Sequence, residues 1–126
     1  MKVSGLTLET IYFEDYLAFL TEVLELELDD LTETSMRLVF DSTWFEIKKV
    51  SEAPLQVATS VEFSLSEDEY QALAQKVSFF YYRRGPTRFL YLGTDSLECR
   101  VVDPDGRTWR FVPFINSLSF SSSYSL

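Results

Sequence analysis

The sequence contains no histidine. That absence removes histidine general bases, histidine-activated nucleophiles and imidazole metal ligands together. A single cysteine, Cys99, excludes an internal disulfide and any multi-cysteine metal site. Cys99 alternates with Leu97 and Val101 in a strand-like run, and no histidine exists to activate its thiol. It therefore reads as a small buried apolar residue. Glycine and proline number four each, which argues against a loop-rich fold. No apolar run approaches the roughly 20 residues of a membrane span, and no charged region followed by an apolar one opens the chain. A cytoplasmic protein without a secretory signal is the expectation.

Positive charge is scarce at first and then concentrated. Lys2 is the only base before Arg37, whereas Arg83, Arg84, Arg88, Arg100, Arg107 and Arg110 crowd the later part. The formal net charge is −9 and the pI about 4.4, a balance that disfavours nucleic acid and anionic membranes as partners. Separately solvated faces, or pairing within a chain or across a dimer, both accommodate the asymmetry.

What the chain does have is apolar and aromatic mass. Hydrophobic residues make up 46% of 126 residues and aromatics 16%, enough for one ordinary core and too much for a disordered chain. Leu6 to Phe13 has strand composition. Tyr16, Phe19, Leu20, Val23 and Leu24 then mark one face of a helix beginning near Glu14 or Asp15. An acidic strand or loop runs from Glu27 to Leu31. The period next changes to two, with Met36, Leu38 and Phe40 forming a hairpin with Trp44 to Val50 across Ser42–Thr43. Ser51 to Gln56, with Pro54, is a linker too short to separate domains.

A second cycle follows. Val57, Thr59, Val61, Phe63 and Leu65 share a strand face, and Ser66-Glu67-Asp68-Glu69 has the form of a capping box opening a helix along Tyr70, Leu73, Ala74 and Val77. Phe79 to Gly85 is irregular. Thr87 to Leu92, Leu97 to Val102 and Arg107 to Val112 read as strands. Asp103-Pro104-Asp105-Gly106 supplies a type I turn between the last two. Strand–helix–three strands is thus written twice, in modules of about 6–50 and 57–112 forming one domain over 1–112. Residues 113–126 are a Ser-rich tail, expected to fray or to pair along a sheet edge.

This order resembles the vicinal oxygen chelate superfamily, the glyoxalase and bleomycin-resistance fold. Two segments carry the resemblance. IYFEDYLAFLTEVLELEL is similar to the family's first strand end, helix and "evLGL" step, with Glu25 where glycine is usual; RVVDPDGRTWRFV is similar to its "DPDGNxxEL" hairpin. A ferredoxin-like sandwich is the rival, but it would leave strands over at the end of the chain. The resemblance implies an α+β fold of two βαβββ modules forming a curved mixed sheet around a cleft. It also implies homodimers, and in metal-dependent members one ligand from the first and last strand of each module. Those positions fall on Leu8, Glu46, Ser60 and Arg110. One carboxylate beside a cation does not hold a metal ion, so no metal and no cofactor are expected.

Glu46 and Arg110 are then expected on the cleft floor, either paired to one another or to other acids, or orienting a polar ligand. Tyr12, Trp44, Phe63, Tyr91 and Trp109 are expected on strands, as core or as walls of an apolar pocket, where an acidic rim favours a cationic ligand. The ligand-contacting set is Glu46, Arg110, Tyr12, Trp44, Ser60, Tyr91 and Trp109. The leading function is metal-free binding or sequestration of a small organic molecule, without catalysis. A metal-independent enzyme, with Glu46 paired to Glu9 or Glu62 as acid and base, is one alternative. A protein-interaction domain using the tail or the FFYYRRG segment is the other.

Overall fold

The alternating and helical periods fold as two copies of one unit. The computed structural model describes residues 4–40, 42–53, 60–83 and 87–114; of the tail expected at 113–126, residues 115–126 lie outside them, as do part of the linker and the Arg84–Pro86 portion of FFYYRRG. In the first module β1 (Gly5–Thr10) leads into α1 (Phe13–Ala18), which continues as a wider helical turn (Phe19–Val23). The strands β2 (Asp30–Leu31), β3 (Ser35–Phe40) and β4 (Thr43–Lys49) follow. The second module repeats this with β5 (Ser60–Leu65), α2 (Glu67–Tyr82), β6 (Leu90–Thr94), β7 (Cys99–Val102) and β8 (Thr108–Pro113). The strand orders are β1-β4-β3-β2 and β5-β8-β7-β6, with first and last strands of each module parallel. The α+β fold of two βαβββ modules is as expected, its strands divided between two four-stranded mixed sheets.

The helices begin and end for local reasons. Ser66 accepts from the Glu69 N–H at 3.2 Å and Glu69 returns the contact to the Ser66 N–H at 3.1 Å, the expected capping box. That hydrogen-bonding holds the exposed Glu69 carboxyl below its ordinary pKa. The helix runs on through Tyr82, so Phe79 to Tyr82 is regular rather than irregular. Val77, Phe80 and Tyr81 keep packing against the core at helical spacing. The first helix widens at its end, where the Leu24 N–H reaches the Phe19 carbonyl at 3.0 Å and the Leu26 N–H reaches Leu20 at 2.9 Å.

Glu25 closes that turn with φ of +56°, the left-handed region, at the position where the resembling family has glycine. A side chain there costs about 1–2 kcal/mol, and its exposed ion pair with Lys76, 3.0 Å, returns at most about 1 kcal/mol. Glu25→Gly is expected to raise stability by about 1 kcal/mol, read from chemical denaturation; a loss would contradict the assigned strain.

The two sheets meet through one aromatic core. Each strand turns alternate residues inward: Leu8 and Thr10, Met36 and Leu38, Phe45 and Ile47 from the first sheet, Val61, Val101, Trp109 and Phe111 from the second. Phe45 of the central strand β4 contacts Trp109 of the central strand β8 and Phe63 of β5, with ring centroids 5.8 and 5.6 Å apart. Tyr16 and Phe19 of α1 pack on Phe89 and Trp109 of the other module. The opposite faces of both sheets therefore point away from this core. Cys99 lies fully inside it, and burial pushes its thiol pKa up, the inert state expected.

A buried polar knot fastens the modules. The Asp103–Gly106 turn forms as expected, closed by the Gly106 N–H on the Asp103 carbonyl at 3.0 Å. Asp103 accepts from the Asp105 and Arg107 N–H groups and from the Trp109 indole at 2.9 Å. Arg107, itself buried, reaches the Glu9 carbonyl of β1 at 2.8 Å and the Tyr16 hydroxyl at 3.2 Å. Tyr16 in turn donates to Asp105 at 2.7 Å. Every member has a partner, as a buried charge requires. Among the described residues, no helix is long and apolar enough to cross a membrane.

Candidate functional site

The outer face of each sheet carries one matching row of polar residues at its middle. In the first sheet Thr7, Glu46 and Arg37 lie side by side on β1, β4 and β3. Thr7 Oγ1 donates to Glu46 at 3.3 Å and Arg37 approaches the same carboxylate at 3.6 Å. In the second sheet the equivalent row is Glu62, Arg110 and Arg100 on β5, β8 and β7. Arg110 pairs with Glu62 at 2.6 Å and with Glu98 at 3.2 Å, and Arg100 shares Glu98 at 3.0 Å. Glu98, chiefly by hydrogen bonding, holds the Arg110 guanidinium above its already high pKa, so this position is a permanent cation.

The next row of the first sheet holds Gly5, Trp44 and Val39. The Trp44 indole lies against Gly5: a Cβ placed there would collide with the ring. Arg37 also sits over the indole, 4.8 Å from its centroid, close enough for a cation–π contact. Gly5 is thus what lets Trp44 lie flat. Gly5→Val is expected to lift Trp44 off the sheet and shift its fluorescence to the red, as a more hydrated indole requires; an unchanged emission maximum would contradict this packing.

The seven residues expected to line one site separate into three groups. Glu46 and Trp44 share the outer face of the first sheet. Arg110 shares the outer face of the second with Ser60, an exposed residue registered opposite Thr108. Tyr12, Tyr91 and Trp109 face neither. Tyr12 sits at the start of α1 rather than on a strand, with Arg88 5.4 Å above its ring. Tyr91 stacks on Tyr81 at 4.9 Å and bonds to Ser78 and Thr94, turned toward α2. Trp109 is wholly buried, because it neighbours Arg110 on one strand and adjacent strand residues face opposite ways.

Glu46 and Arg110 do not meet; each is paired within its own sheet, Arg110 with other acids, one of the partners anticipated. The carboxylates considered as acid–base partners of Glu46 take different places. Glu62 belongs to the second sheet, and Glu9 lies one row from Glu46, opposite Lys48. Thr7, Arg37 and Glu98 were missed, although strand alternation through Glu46 and Arg110 points to the rows that contain them.

No protein-family model matches the sequence, and no curated protein is significantly similar to it. Solved structures are similar in shape. A glyoxalase-related enzyme from Fulvimarina pelagi superposes with a TM-score of 0.67 at 14% identity, covering 90% of this chain and 88% of that one. A fosfomycin resistance protein from Mesorhizobium loti gives 0.64 at 11% identity over 95% and 97% of the two chains. A glyoxalase/bleomycin resistance protein/dioxygenase family enzyme from Burkholderia phytofirmans gives 0.63 at 10% identity over 91% and 100%. The fold is glyoxalase-like.

A glyoxalase-like frame implies metal ligands on the first and last strands of each module, and the residues present do not fit an ion. Leu8 turns into the core, so the first-strand neighbour of Glu46 is Thr7; the neighbour of Arg110 is Glu62 rather than Ser60. The set Thr7, Glu46, Glu62 and Arg110 offers two carboxylates on different sheets, each facing an arginine. Neither sheet supplies the three or four donors an ion requires, and no group of three candidate ligands occurs among the described residues.

Proposed function

We propose that this chain binds a small organic cation, without a resident metal ion, on the outer face of its first sheet, and that it works as a homodimer. The carrying observation is the place of Arg37. A flat cation already lies over Trp44 and beside Glu46, on a contact to the carboxylate of 3.6 Å. The Arg37 side chain is 42% exposed, so its pairing is worth little and is readily exchanged for a ligand. A planar organic cation would stack on the indole and set its charge against Glu46, and the net charge of −9 would draw it in. Similar folds named for fosfomycin resistance and bleomycin resistance support a small molecule as the ligand class. Homodimerisation would set the bare face of the first sheet against that of a second copy, enclosing the ligand.

Melting curves recorded with planar organic cations and matched anions, in chelator, test this reading. A ligand at 100 times its Kd stabilises by about 2.7 kcal/mol, and the shift is expected with cations and lost in Trp44→Ala and Glu46→Gln. A flat response across both sets would overturn it. Exposed Phe79 and Tyr82 on α2, 61% and 84% accessible, favour a second reading as a protein-interaction domain. Phe79→Ser with Tyr82→Ser would then abolish self-association or partner binding, and unchanged association would remove that reading.

A further inference from the structure

We propose that α2 is a self-association surface, pairing antiparallel with the α2 of a second copy of this chain. The helix carries a stripe on each side. Tyr70, Leu73, Ala74, Val77, Phe80 and Tyr81 pack into the core. On the opposite side Asp68, Ala72, Gln75, Phe79 and Tyr82 recur at spacings of four and three, all of them exposed, Phe79 at 61% and Tyr82 at 84%. That is the spacing by which one helix presents a seam to another. From Ala72 to Tyr82 the seam bears no charge, although the chain carries a net charge of −9 and a solvated helix face is ordinarily charged. Such pairing gives Phe79 and Tyr82 their partner and so rests on the interaction role proposed for them; it lies apart from Trp44 and the outer face of the first sheet.

Size and charge both name a second copy as the occupant. A two-fold axis beside Gln75 makes the seam its own complement. It sets the large Phe79 against the small Ala72 of the second copy, and Tyr82 and Arg83 against its Asp68. The helix is acidic in its first turn, at Glu67, Asp68 and Glu69, and ends on Arg83. Within that turn Glu67 accepts from Gln71 at 3.1 Å and Glu69 accepts from the Ser66 N–H, whereas Asp68 heads the seam. Arg83 lies over the Phe79 ring, 5.6 Å from its centroid, so its charge accompanies the largest exposed apolar residue of the seam. Antiparallel pairing therefore joins opposite charges at both ends. Parallel pairing would set Asp68 on Asp68 and Arg83 on Arg83, which like charges oppose.

Light scattering of the full chain over a concentration series tests the pairing. Phe79→Ser is expected to weaken self-association about tenfold or more, as loss of a central aromatic anchor does. Asp68→Arg and Arg83→Asp, each alone, are expected to associate several-fold more weakly, because like charges then meet at both ends. Mixed in equal amounts, the two should associate as the parent chain does, each supplying the charge the other lacks. A parent chain that stays monomeric, or a Phe79→Ser chain that associates as the parent does, would overturn the proposal. So would single-charge variants that match the parent, or a mixture that stays as weak as its components; the partner of Phe79 and Tyr82 would then be something other than a second α2. Phe79→Ser should still bind planar cations at Trp44, which separates this surface from the outer-face site.

Discussion

Arg107→Met is expected to lower stability by about 3–5 kcal/mol, the usual consequence of removing one partner from a buried ion pair. Among the described residues, Arg107 is the only cation paired with Asp103 and Asp105 in the buried knot, at 3.6 and 3.3 Å. Without it two carboxylates share an apolar site, the Glu9 carbonyl loses its donor, and Tyr16 keeps only its bond to Asp105. The contacts also cross modules, joining the β7–β8 turn to β1 and α1, so the loss falls on the seam. For a domain of this size the midpoint would drop by roughly 10–20 °C. Arg88→Met is the control: its pair with Asp15 is 3.5 Å long and its side chain 66% exposed, so it should cost under about 1 kcal/mol. Equal melting temperatures for the two variants would refute the assigned role of the knot.

Alkali is expected to unfold the protein cooperatively between about pH 10 and pH 12. Burial pushes the phenols of Tyr70 and Tyr81 up to about 12. It raises Tyr16 further, with help from the nearby Asp103 and Asp105 carboxylates. Each hydroxyl donates inside the fold, to Asp95, Phe89 and Asp105. In the unfolded chain a phenol ionises near pH 10. Above that pH the unfolded state has released protons that the folded state retains, so stability falls by about 1.4 kcal/mol per group and pH unit. Three such groups withdraw on the order of several kcal/mol by pH 12. Urea midpoints at pH 9, 10, 11 and 11.5 should decline steeply over the last two steps, and Tyr81→Phe should make the decline shallower. A constant midpoint through pH 11.5 would show that these phenols are not held neutral by the fold.

The fold was legible where one local rule decided the outcome. Ser66 and Glu69 announced a capping box, Asp103 to Gly106 a turn, and the alternation of Met36, Leu38 and Phe40 a half-buried strand. Glu25 stood where a left-handed residue is needed. The FFYY run misled, because four consecutive aromatics conceal the helical spacing of Val77, Phe80 and Tyr81. The site was half legible. Glu46 and Arg110, expected together on a cleft floor, lie on the outer faces of different sheets, and Trp109, adjacent to Arg110, cannot share its face, as parity alone shows. Counting back from Asp15 placed the first-strand position on Leu8, one residue from Thr7, and a one-residue slip exchanges core for surface. The partners of Arg107 were not readable at all: Tyr16 lies 91 residues away and Glu9 lies 98, and no local pattern encodes a contact between modules.

The most direct test of metal-independent binding is tryptophan emission during titration with planar organic cations, such as acridinium and phenanthridinium salts, in excess chelator. Trp109 is buried and Trp44 half-exposed, so the surface indole should report alone. Saturable quenching that disappears in Trp44→Phe is the predicted result. Quenching that requires an added divalent metal, or none from any cation tested, would contradict it.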